Sequence, residues 1–157
     1  MLPTHTDESL SAPSENSNKT QSDYLTLMTP TNDEYRTLSK SYTDTSDAQT
    51  VEENYSDAIS SMLKAIECME EIMVMTIDEQ NQQRRDLANL YRNLAHLYEK
   101  NKNLDKASSV YQEAIEYLES IINPWDIDNF ILNTIKKEHW KTAQTRLSNR
   151  NALLQSQ

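Results

Sequence analysis

Apolar residues are spread very unevenly along this chain. Over the first 50 positions no apolar period is sustained, 18 residues are serine or threonine, and three of the four prolines fall there. Such a segment buries too little apolar area to offset its ordering entropy, so residues 1–49 are expected to be a disordered tail. From Thr50 the pattern switches to helical spacing. Tyr55, Ala58, Ile59, Met62, Ala65, Ile66, Met69 and Ile72 form one helix face, and Thr50 with Glu53 has capping-box spacing. These predict a first helix over about 51–78. Leu87, Leu90, Tyr91, Leu94, Leu97 and Tyr98 predict a second over 80–101, ending in Asn101-Lys102-Asn103, where asparagine is expected in the left-handed cap. Ala107, Val110, Tyr111, Ala114, Ile115 and Leu118 mark a third over 104–122. Asn123 as cap and Pro124 at the first helical position open a fourth, 124–154, running through Phe130, Ile131, Ile135, Trp140, Ala143 and Leu147. No run alternates with period two. The expected fold is all-α, about four antiparallel helices behind a disordered acidic tail.

Composition then removes classes of chemistry. The chain has no glycine, so it cannot carry a Gly-rich phosphate loop, a dinucleotide fingerprint or a nucleophile elbow. One cysteine, Cys68, excludes an intrachain disulfide; with no base paired to it in sequence, it reads as a structural thiol. His5, His96 and His139 have no metal-ligand spacing, and the carboxylates lie on polar helix faces. No enzymatic activity, cofactor or metal is expected. A formal charge of −10 argues against nucleic acid as a partner, and no apolar run is long enough for membrane insertion. The expectation is a soluble cytoplasmic protein, with the nucleus as an alternative. Charge is also segregated: residues 51–79 carry −7 and residues 129–157 carry +4. The acidic segment is expected either to lie near the basic last helix or to recruit a basic partner.

Ala88, Tyr91, Leu94, Ala95, Tyr98, Ala107, Tyr111 and Ala114 stand at the offsets of a tetratricopeptide repeat, and the second and third helices resemble that family. A partial copy lies upstream in Asn54-Tyr55-Ser56-Asp57-Ala58-Ile59 with Met62 and Ala65; Ala58 and Ala107 are 49 positions apart, against about 34 in the family. The resemblance implies peptide binding on a concave face, presented here by Asn89, Arg92, Asn93, His96 and Glu99, with Arg92 and Asn93 resembling half of a carboxylate clamp. Residues 84–150 also resemble a microtubule-interacting and trafficking domain, a three-helix bundle, through Leu87–Tyr98, then Ala107, Tyr111, Ala114 and Leu118, then Ile135, Trp140, Ala143 and Leu147. Val74 and Met75, off the main methionine stripe, are candidate exposed contacts. Tyr24 with Leu27, and Tyr35 with Leu38, resemble aromatic-x-x-leucine peptides that add a strand to ubiquitin-like autophagy proteins. The expected function is a non-enzymatic adaptor, one part of a complex, that binds a partner helix or peptide. The alternatives are a trafficking or autophagy adaptor and a structural subunit of a larger helical complex.

Overall fold

The computed structural model describes residues 29–157 as five helices: α1 (Asn32–Val51), α2 (Tyr55–Glu70), α3 (Ile77–Lys100), α4 (Leu104–Glu119) and α5 (Asp126–Gln155). No strand occurs among the described residues, so the all-α expectation holds. Each helix packs on the next, and α5 also touches α3. The cross-helix contacts run in opposite directions along neighbours: Ser39 and Ser46 meet Ala65 and Ala58, while Tyr91 and Tyr98 meet Tyr117 and Lys106. The fold is therefore two antiparallel hairpins, α1/α2 and α3/α4, with α5 laid against the second. Between the layers lies one apolar core that includes Met62, Ala65, Leu94, Ala95, Tyr111, Ala114 and Ile135.

The main departure from the sequence expectation is α1. Residues 32–49, assigned to the tail, are helical and begin at a capping box between Thr31 and Glu34. Two small polar residues make this possible. Ser39 and Ser46 are buried, and their hydroxyls donate to the Ala65 and Ala58 carbonyls at 2.8 Å each. They stand seven positions apart and act as packing residues, which an apolar count cannot register. Thr50 is not a cap: it lies in the last turn of α1 and its hydroxyl donates to the Ser46 carbonyl at 2.7 Å. Asn54 caps α2 instead. The predicted helix 51–78 thus shrinks, and residues 71–76 connect to α3, which starts at a second capping box, Thr76 with Glu79. The left-handed residue after α3 is Lys102 (φ 60°), not an asparagine; Asn103 instead caps α4. Asn123 is itself left-handed (φ 54°), so Pro124 falls outside α5 and Trp125 takes the cap position.

The 49-residue interval between Ala58 and Ala107 extends to most of the architecture. Glu53 and Lys102 are both left-handed, and Asn54 and Asn103 both cap second helices. Asn32 brackets the Met73 peptide, its amide donating to the carbonyl at 2.7 Å and accepting from the N–H at 2.9 Å. Asn81, 49 positions on, brackets the Ile122 peptide at 2.8 and 3.1 Å. In each hairpin a side-chain amide thus satisfies the chain just after the second helix. The helices starting at Ile77 and Asp126 are also 49 positions apart, so α5 stands where a third first-type helix belongs.

Candidate partner-binding surfaces

Three of the five residues expected on the concave face are held by α5. Arg92 forms a two-pronged ion pair with Glu138, with Nε at 2.8 Å from Oε2. His96 lies between two carboxylates, its Nδ1 3.2 Å from Glu99 and its Nε2 3.6 Å from Glu138. Glu99 accepts from the Tyr111 hydroxyl at 3.1 Å and from the Thr142 hydroxyl. Burial raises the Tyr111 phenol well above its ordinary pKa, and the Glu99 carboxylate adds to the shift. The hydroxyl therefore stays a donor. A half-buried Arg92–Glu138 pair and its neighbours join α3, α4 and α5, leaving Arg92, His96 and Glu99 committed within the chain. Asn89 and Asn93 remain exposed on α3.

A second junction fixes the start of α5. Asp128 is almost completely buried and accepts two hydrogen bonds from Arg85, Nε at 2.7 Å and Nη2 at 2.9 Å. The same carboxylate accepts the Trp125 N–H at 2.8 Å, and the Trp125 ring lies 4.3 Å from the Arg85 guanidinium. Hydrogen bonding from Arg85 holds the Asp128 carboxyl below the usual range. Sequence reading did not single out Arg85, Asp128, Glu138 or Thr142. The available signal was the heptad Asp128, Ile135, Thr142, the three buried residues of α5, of which only one is apolar.

The other candidates divide. Met75 is exposed, whereas Val74 is half-buried and packs on the core, so Val74 is not the free contact expected. Tyr35 and Leu38 lie in α1, with Tyr35 packed on the core. A helical, partly buried segment cannot add a strand to another protein, which removes that reading for this pair. Tyr24 and Leu27 lie outside the described residues. Cys68 is half-buried, and burial pushes its thiol up, away from nucleophilic thiolate. The Ser108 hydroxyl and His139 Nε2 are 3.0 Å apart; burial, aided by the Arg146 charge, lowers the His139 pKa. Among the described residues no helix is long and apolar enough to cross a membrane, and no group of three metal-ligating side chains converges.

The outer side of α5 has a different character. Phe130, Trp140 and Leu147, expected as core positions, are 67, 64 and 48 % exposed. Asn133, Lys136, Lys137 and Lys141 line a shallow hollow around Trp140. The basic residues of α5 that find ion-pair partners find them on α4: Lys136 with Glu119 at 2.6 Å and Arg146 with Asp105 at 3.3 Å. None pairs with the acidic 51–79 segment, and Lys137 and Lys141 form no ion pair among the described residues. Set against known protein families, characterised proteins and solved structures, the chain matches none, and its own side chains carry the functional reading.

Proposed function

We propose that this chain is a non-enzymatic adaptor that binds a helix or peptide of another protein through its helical array. The observation that carries this reading is the exposed apolar row on α5. Phe130, Trp140 and Leu147 stand outside a helix whose Asp128, Ile135 and Thr142 stripe is already docked. Large apolar side chains left exposed along a helix that is already docked by another stripe are what a further packing contact would cover. No buried side-chain nitrogen or oxygen among the described residues lacks a hydrogen-bond partner, so the polar networks inside the array read as glue. The recurring hairpin supports an array built from repeats, at an interval of 49 residues where the tetratricopeptide family has about 34, and the three-helix trafficking bundle leaves α1 and α2 without a role.

A photo-reactive amino acid placed in turn at the exposed positions Asn93 on α3, Ser109 on α4 and Trp140 on α5 of the full chain in cells tests the proposal. A discrete adduct with another protein from at least one face is the expected result. No adduct from any of the three would overturn it. If the purified chain aggregates or lacks a cooperative melt, the structural-subunit alternative takes its place.

A further inference from the structure

The 49-residue register shows what the row on α5 corresponds to. Tyr42, Tyr91 and Trp140 occupy equivalent positions, as do Gln49, Tyr98 and Leu147. In the first hairpin Tyr42 sits under Lys64 of α2, 5.6 Å from the ring centroid, and Gln49 accepts the Ser61 hydroxyl of α2 at 2.8 Å. In the second, Tyr91 stacks on Tyr117 of α4 at 5.4 Å, and Tyr98 meets Lys106 of α4. Both positions therefore face the hairpin's own second helix. On α5, Trp140 and Leu147 face none, because no helix among the described residues packs there.

We infer that the Trp140–Leu147 face of α5 receives a helix of a partner protein, which completes a third hairpin in trans. The chemistry of the face selects the occupant. Its first requirement is an apolar stripe to cover Trp140 and Leu147. Its second is acidic flanks, because Lys137 and Lys141 border Trp140 without an ion-pair partner among the described residues. A second copy of this chain fits poorly, since an α5–α5 contact sets these lysines against each other. An anionic lipid surface is disfavoured by the net charge of −10. The register also limits how close the occupant comes. Ser39 and Ser46, then Ala88 and Ala95, are small where the hairpin helices touch, but Lys137 and Gln144 stand at those positions in α5. The partner helix sits farther out than α2 or α4 does, as befits an exchangeable contact. This inference rests on the adaptor reading and narrows it to one face and one partner chemistry.

A stapled peptide with the sequence of α4, Leu104–Glu119, serves as the probe, because it carries an apolar face shaped for a first-type helix together with Asp105, Glu113, Glu116 and Glu119. Calorimetric titration into the full chain should show one-to-one binding that Trp140→Ala abolishes; Trp140 is exposed, so circular dichroism should confirm an intact fold. A peptide with Glu113→Lys, Glu116→Lys and Glu119→Lys should bind roughly tenfold more weakly, and Lys137→Glu with Lys141→Glu in the protein should restore it. Equal affinity of the two peptides, or binding indifferent to Trp140→Ala, overturns the inference. So does a Trp140-dependent dimer by light scattering, Trp140-dependent binding to phosphatidylserine vesicles, or binding of the probe that appears only after residues 1–28 are removed. If photo-adducts form at Asn93 or Ser109 but not at Trp140, this inference fails while the adaptor reading stands.

Discussion

Replacing Asp128 with alanine tests whether α5 is fastened by charge. The variant leaves the Arg85 guanidinium, 13 % exposed, without either of its two carboxylate bonds, and removes the acceptor of the Trp125 N–H. Breaking one side of a buried pair costs about 3–5 kcal/mol, since the surviving charge stays desolvated. Loss of the helix-start acceptor, about 1 kcal/mol by itself, overlaps with that figure because the same carboxylate serves both bonds. Against a typical total of about 5–15 kcal/mol this is a large fraction. Urea unfolding followed at 222 nm should show it, with the melting temperature down by roughly 10 °C. The double variant Asp128→Leu with Arg85→Met should recover most of the loss, because two apolar residues of similar volume avoid the unpaired charge. A loss below about 1 kcal/mol for Asp128→Ala would refute the reasoning and leave α5 held by its apolar contacts at Ile131, Leu132 and Ile135 and by the Arg92–Glu138 junction. The sign with pH follows from the same contact. The folded carboxyl titrates below its unfolded value, so this contribution is full above about pH 4 and is lost as pH falls through the folded pKa.

Three further outcomes are expected. Ser46→Leu should cost about 1–3 kcal/mol, because a larger side chain is forced between α1 and α2 where a fully buried hydroxyl now sits; an unchanged urea midpoint would return residues 32–49 to the tail. Ala107→Arg places a long charge at a position with no exposure, where α4 meets its neighbours, at a cost of roughly several kcal/mol in the thermal melt. The His139 pKa is lowered in the fold, chiefly by burial and then by Arg146, so its share of stability is full above about pH 6.5 and is lost as pH falls through that window. Unfolding free energies at pH 7.5 and 5.5 should therefore differ more in the parent than in His139→Gln.

Helices whose inner faces are leucine, isoleucine, methionine or alanine were legible from spacing alone, and α3 and α4 lie within a few residues of their expected bounds. What spacing hid was packing by polar atoms. In α1 the inward residues are Ser39 and Ser46, whose value depends on carbonyls that another helix supplies. In α5 the inward heptad is Asp128, Ile135 and Thr142, while Phe130 and Trp140 point outward, so an apolar count selects the wrong side. The candidate face on α3 follows from its own positions, whereas Glu138 and Thr142, which occupy it, lie 40 or more residues away in the chain. The exposed row on α5 was visible only as core. No helix among the described residues packs there, and spacing within one helix cannot report that.

The buried serines also set how α1 moves. Its buried side chains are two serines whose hydroxyls bond to carbonyls of α2, with Tyr35 and Tyr42 only half-buried, whereas α3 and α4 each bury several large apolar side chains. Segments that bury little apolar surface open at a free energy well below that of global unfolding. Amides of α1 should therefore exchange with deuterium long before those of α3 and α4, and as one block, since the serine, Asn32 and Gln49 bonds along the helix must break together for it to detach. Each such opening uncovers Ala58, Met62 and Ala65, giving the outer side of α2 a transient apolar stripe. The array thus has a stiff end at α3–α4 and a breathing end at α1. Proteolysis under native conditions should begin at the breathing end, in the left-handed turn at Glu53.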